Sequence, residues 1–219
     1  MLTKEQIVEN KNRFLELIGK ISSDRVETGE LVEYLFTTDF FTAPASVRYN
    51  CCYEGGLCEH TLNVYRNLKF LAGGYGEKYS EDELILTALL HDFSKIGFYE
   101  KYMKPTKQFI EEEEATSRSK FDGSTGKWFN WVDEVFYKVK DGNDSAASGT
   151  RWFSTLMILN KFMPVFDDEF KEVTIALVNQ YDGTREMGGD LKVVLHEHPL
   201  TLLLHEADSL SCYITDDRQ

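Results

Sequence analysis

Four side chains able to bind a metal ion, His60, His91, Asp92 and Asp208, lie at the ends of apolar helical segments. A polar group there is costly unless it is partnered, and one shared cation would partner all four. Two imidazoles and two carboxylates form a mixed nitrogen and oxygen set. It suits one divalent transition metal (Mn, Fe, Co, Ni or Zn, with Mg as a further candidate) rather than Ca. Such an ion with open positions lowers the pKa of a bound water and draws charge from a phosphoryl oxygen. Both effects favour hydrolysis of a phosphate ester.

The elements that must position these groups are legible around each one. In GGLCEHTLNVYRNLKFLA, Leu57, His60, Val64, Leu68 and Leu71 recur at steps of three or four, which turns His60 inward on one helix face. SEDELILTALLHDFSKIG opens with Ser80 and Glu83 spaced as a capping box and is apolar on every side, the pattern of a helix through the middle of a domain. Asp208 falls in HPLTLLLHEADSLSCYI, where Pro199 suits the first helical turn and Leu204, Ser211 and Cys212 share the face of Asp208. Any one of these residues alone reads as an ordinary core histidine or a paired helix carboxylate; the ordered set points to a metal.

The stretches YEGGLCEHTLNVY, LLHDFSKIGFY and LLHEADSLSCYI carry His60, the His91-Asp92 pair and Asp208 in an order that resembles the H...HD...D pattern of the HD superfamily of metal-dependent phosphohydrolases. The likeness extends to small HD-domain proteins of phages and gut bacteria and to the HD module of a bacterial 3′-to-5′ exoribonuclease. It runs from about Phe40 to Ile214 and weakens between Lys101 and Thr150. The resemblance implies an all-α fold, a single HD-type helical bundle over residues 1–219. Within it, 1–38 would be a helical N-terminal extension, 40–100 and 150–215 the metal-binding core, and about 98–150 an insert. It also implies His60, His91, Asp92 and Asp208 as metal ligands, with Asp92 orienting the attacking water. Lys95, on the face of His91 if the helix continues, would neutralise phosphate charge.

The chain departs from the family pattern where further histidines would hold a second metal. Asn50 stands before YEGGL, Arg151 stands near an expected Gly-His-Gly, and Gln180-Tyr181 replaces a tryptophan-histidine pair. One ion is therefore expected. Arg151 would place a permanent charge near the pocket and could hold a phosphate oxygen bidentately, though a surface arginine starting a helix is an equal reading. Arg48 and Tyr181 complete the substrate-binding candidates; Tyr181 before Asp182-Gly183 also fits a helix-ending turn. His205, three residues before Asp208, reads as support for a ligand, whereas His196 and His198 lie in a polar stretch and do not read as ligands.

Composition bounds the function. The chain has 219 residues and a net charge of -13, which repels a polyanion over most of the surface and makes a small nucleotide a better substrate than long nucleic acid. No run of about eighteen apolar residues is present, the N-terminus is amphipathic and charged, and Cys51, Cys52, Cys58 and Cys212 form no CxxC pair. A cytoplasmic protein, in a bacterium or a phage-infected cell, and no membrane partner are expected. The glutamates from Glu111 to Glu114 read as a solvated face.

Along the chain, Thr3 and Gln6 cap a first amphipathic helix and a second follows Thr28. Later helices are expected at about 151–162, 168–180 and 200–214. Residues 98–150 are charged and aromatic, and KWFNWV and VFYKVK could each form a short strand of a β-ribbon or lid. The function expected is hydrolysis of a phosphate ester of a nucleotide or related small metabolite by a metal-activated water. The alternatives are a 3′-to-5′ single-strand nuclease or a non-catalytic metal or nucleotide sensor; a two-iron oxygenase ranks last because it needs the missing ligands.

Overall fold

The computed structural model describes residues 1–76, 79–141, 151–179 and 191–215, without the side chains of Arg151, Trp152, Leu191 and Lys192. The body is mostly helical. Helix α1 (Lys4–Ile18) begins at the expected capping box, with Gln6 N–H donating to Thr3 Oγ1 and Thr3 N–H donating to Gln6 Oε1, and buries Phe14, Leu17 and Ile18. Helix α2 (Thr28–Phe36) buries Leu31 and Leu35.

Helix α3 (Gly56–Tyr75) buries Leu57, His60, Val64 and Leu68 along one face, as the spacing requires. Helix α4 (Glu81–Leu90) starts at the reciprocal Ser80 and Glu83 cap, and every residue from Leu84 to Leu90 is buried. Burial of each Leu or Ile in that run contributes roughly 1.5–3 kcal/mol. This makes α4 the central strut of the body. α3 packs on α4 and on the last helix, and α1 packs on α3.

The second half supplies α5 (Arg151–Leu159), α6 (Lys171–Val178), α7 (Leu191–Glu197) and α8 (Pro199–Leu210), with a π-helical turn over Ser211–Thr215. The helix expected over 168–180 begins as a 3-10 turn at Asp168–Phe170, and the polar stretch containing His196 is itself helical. α7, seven residues long, is too short for a helical apolar period to stand out in the sequence.

The fold is mostly helical rather than purely all-α, and the strands lie in the 98–150 region, where a β-ribbon or lid is expected. Strands β1 (Tyr99–Ile110), β2 (Lys120–Asp122) and β3 (Lys127–Val139) form an antiparallel sheet in the order β1-β3-β2, with register from Tyr99 opposite Val139 to Ile110 opposite Trp128. The two short strands expected at KWFNWV and VFYKVK are one continuous strand, because pairing with β1 carries the chain straight through Asp133-Glu134. Pro105 is tolerated in β1 because β1 is an edge strand. At its base the sheet is tied down by Tyr99, whose hydroxyl donates to Ala45 O, and by Lys140, whose Nζ donates to Gly97 O. Residues 142–150, the rest of the expected insert, lie outside the described residues. Among those described, no helix is long and apolar enough to cross a membrane.

The loop entering α3 is folded back on itself. Leu57 N–H donates to Ala43 O, Gly55 N–H to Thr42 O, and Ala45 N–H to Cys51 O. Cys51 has φ 45°, a left-handed conformation rare for a residue with a side chain, and Gly55 has φ 82°. The Cys51 carbonyl lies so close to Gly56 that a Cβ there would stand 2.1 Å from its oxygen. Gly56→Ala is expected to lower the unfolding free energy by about 2–4 kcal/mol, since backbone must move to admit the methyl group. Gly73→Ala, in the same helix with nothing within 4 Å, is expected to raise it by about 0.5–1 kcal/mol. Equilibrium urea unfolding of both variants checks the pair.

Candidate metal centre

Three remote segments bring the four chemical side chains together. His60 comes from the second turn of α3, His91 and Asp92 from the residues just past α4, and Asp208 from the last turn of α8. His60 Nε2 lies 3.1 Å from Asp208 Oδ1 and 3.5 Å from Asp92 Oδ2, and His91 Nε2 lies 3.4 Å from the same Asp92 oxygen. One donor atom from each of His60, His91 and Asp208 falls within 4.8 Å of the others. Donors bound to a single transition-metal ion at roughly 2.0–2.2 Å stand about 3.0–3.5 Å from their neighbours, a spacing that the three His–Asp separations match.

The histidine chemistry agrees with that spacing. His91 Nδ1 lies 2.8 Å from Ala88 O; a carbonyl only accepts, so Nδ1 carries a hydrogen, and Nε2 is left facing the cluster. With Nδ1 engaged by Ala88, Nε2 is the nitrogen turned toward Asp92, where it could ligate a cation. His60, His91 and Asp92 are buried, with the side chains of His60 and Asp92 only 1% and 3% exposed, while that of Asp208 is 41% exposed. Asp208 therefore marks the open side of the cluster.

Lys95 reaches the site by a route other than the one expected. α4 stops at Leu90 and the chain tightens into a 3-10 turn over Phe93–Lys95, which puts Lys95 Nζ 2.6 Å from Asp92 Oδ2. The turn is pinned by Ser94 N–H donating to Thr155 Oγ1 and by Gly97, at φ 68°, whose N–H donates to Asp39 Oδ1. Desolvation pushes the Asp92 carboxyl up. The charges of Lys95 and His91, the His91 hydrogen bond and the charge of His60 outweigh it and hold Asp92 well below the usual carboxylate range. Desolvation also raises Asp208, but its hydrogen bond from His60 and the charges of His60 and His91 leave it lowered.

The other candidates divide. Arg48 is exposed on the loop before α3, held by its N–H to Ser46 Oγ, and makes no contact with the four-residue cluster among the described interactions. The Arg151 side chain and all of Gln180 and Tyr181 lie outside the described residues. His205 Nε2 lies 2.5 Å from Asn179 O and ties α8 to the end of α6, and His198 Nδ1 pairs with Glu172 Oε1 at 2.8 Å. Sequence reasoning missed Ser46, Asp39 and Thr155, whose small polar side chains hold the backbone around the site. Nothing in their local pattern announces that role.

Over 74 residues the chain is 42% identical to a protein named dihydroneopterin 2′,3′-cyclic phosphate phosphodiesterase from Methanocaldococcus jannaschii, a match covering 32% of this chain and 26% of that protein. The chain thus spans about a quarter of the length of the curated relative it matches. No family model and no solved structure matches the chain.

The cluster can hold a metal, and an ion bound only by the folded state stabilises that state. Mn, Co, Ni or Zn at a hundredfold excess over Kd is expected to add about 2.7 kcal/mol, read as a rise in Tm that EDTA reverses. The His91→Ala variant is expected to show little of that rise. Melting curves unmoved by all four metals would exclude the centre.

Proposed function

We propose that this chain is an HD-type metal-dependent phosphohydrolase that hydrolyses a phosphate ester of a nucleotide or related small metabolite. The observation carrying the reading is the convergence of His60, His91 and Asp208, one donor atom of each within 4.8 Å of the others, with Asp92 Oδ2 3.4–3.5 Å from both imidazoles. The likeness to a cyclic phosphate phosphodiesterase over part of the chain supports the same reaction class and makes a cyclic phosphodiester the first ester to test.

In this reading His60, His91, Asp92 and Asp208 hold the ion. When bound, the ion would supply a water of lowered pKa and a Lewis acid for a phosphoryl oxygen. Asp92 is kept ionised by Lys95 and both histidines, so it remains an acceptor able to orient the water. Lys95, 14% exposed and fixed on Asp92, offers its ammonium to phosphate charge. The phosphoryl group approaches from the Asp208 side, where the cluster is least covered.

A second reading, a sensor that binds metal without turnover, is favoured by Asn50. It faces His60 with an amide, a poor ligand for a second ion.

The test uses the purified full chain with 2′,3′-cyclic nucleotides, other nucleotides and short oligonucleotides in the presence of Mn, Co, Ni or Mg. Hydrolysis of a small ester is expected, abolished in Asp92→Ala, and reduced about 10- to 100-fold in kcat/KM in Lys95→Ala. Bound metal with no turnover of any ester would select the sensor. Steeply salt-dependent shortening of oligonucleotides would select the nuclease.

A further inference from the structure

On the far side of the His60 ring from the carboxylates, two buried polar side chains meet its other nitrogen. Asn50 Nδ2 lies 3.4 Å from His60 Nδ1, and Ser211 Oγ lies 3.3 Å from the same atom. They arrive from segments 161 residues apart in sequence, given their numbers 50 and 211. Both positions are built by their surroundings. Ser46 Oγ accepts the N–H groups of Arg48, Tyr49 and Asn50, gathering that loop just before the left-handed Cys51. Ser211 opens the π-helical turn, and that turn is braced by Asn67, which donates to Thr215 Oγ1, and by Thr215, which donates to Leu210 O.

We propose that Asn50 and Ser211 form a clasp on His60 Nδ1 that fixes the ring and its tautomer so that Nε2 presents its lone pair to the ion; the inference rests on the metal reading above. The chemistry follows from the donor and acceptor inventory. With Nε2 committed to a cation, Nδ1 must carry the hydrogen and donate it. The serine hydroxyl accepts it directly, and the asparagine accepts it through Oδ1 once its amide turns over. In the other tautomer Nε2–H would donate toward Asp208 Oδ1, 3.1 Å away, and Nδ1 would accept from the Asn50 amide or the Ser211 hydroxyl. Both clasp residues can donate and accept, so they satisfy His60 in either tautomer without leaving a buried nitrogen orphaned. Asn50 and Ser211 are therefore positioning residues, acting on the ion through His60.

Two isosteric replacements separate this role from packing. Asn50→Leu keeps the branched shape and removes hydrogen bonding, whereas Asn50→Asp keeps the shape and the acceptor. Apparent Kd values for Co(II) and Zn(II) are measured on the full chain by chelator competition, with the Co(II) d–d absorption spectrum as a second readout. Removing a partner of a ligating histidine costs about 10- to 100-fold in metal affinity. Asn50→Leu and Ser211→Ala are each expected to weaken binding about tenfold or more with a shifted Co(II) spectrum. Asn50→Asp is expected to bind as tightly as the parent chain or more tightly, because a carboxylate accepts strongly from Nδ1–H.

Equal Kd values for the parent and Asn50→Leu, or equal losses in Asn50→Leu and Asn50→Asp, would overturn the clasp. Circular dichroism of the metal-free variants verifies folding. If Asn50→Leu fails to fold, Ser211→Ala, which deletes a single oxygen, carries the test. A parent chain that binds neither metal would instead refute the metal reading itself, so the two failures are distinct.

Discussion

Two carboxylates and two imidazoles sharing a few ångströms of mostly buried space form the constraint on which this structure turns. Asp92 is nearly inaccessible and ionised, and an isolated carboxylate there would cost several kcal/mol of desolvation. The fold meets that cost by surrounding one of its oxygens: Lys95 Nζ at 2.6 Å, His91 Nε2 at 3.4 Å and His60 Nε2 at 3.5 Å. Each comes from a different local structure, a 3-10 turn, the end of α4 and the second turn of α3, so these elements must hold one register relative to one another.

What keeps that register is apolar packing of ordinary kind. α4 is buried from Leu84 to Leu90 and delivers His91 directly from its end, so the imidazole inherits the rigidity of the core. α3 leans on α4 with Leu57, Val64 and Leu68 around His60, and α8 closes on α3 with Leu203, Leu204 and Ala207 beside Asp208. The polar residues then fix orientation rather than position. Ala88 O sets the His91 tautomer, Thr155 and Asp39 pin the turn that carries Lys95, and Ser46 gathers the loop that carries Asn50.

Much of this was readable from residue spacing, and the unreadable parts share a cause. The Thr3 and Ser80 caps, the inward face of His60 and the all-round burial of α4 are local patterns, written within one or two helical turns. The continuity of β3 through Asp133-Glu134 depends on β1, which lies some thirty residues earlier, so a window along β3 alone splits it. The geometry of Lys95 depends on Thr155 and Asp39, contacts made across 61 and 58 residues, and helix periodicity therefore misplaces it by ending α4 too late. Asn50 is the sharpest case. From the chain alone it registers as a missing ligand, and only the fold shows its amide against the back of a candidate ligand.

That placement bears on the number of metals the proposed site would take. An asparagine amide turned toward His60 Nδ1 faces the side of the ring away from Asp92 and Asp208, so on the proposed reading it would support the first ion rather than recruit a second. The positive charge that a second ion would bring is instead present in part as the Lys95 ammonium, attached to the chain and held on Asp92. A fixed ammonium differs from a cation in having no coordination positions to offer; it can neutralise a phosphoryl oxygen but cannot activate a second water. On the proposed reading, the nucleophile and the charge stabilisation are thus divided between the ion and Lys95. Lys95 and both imidazoles meet at Asp92 Oδ2, so this carboxylate would couple the two halves of the chemistry.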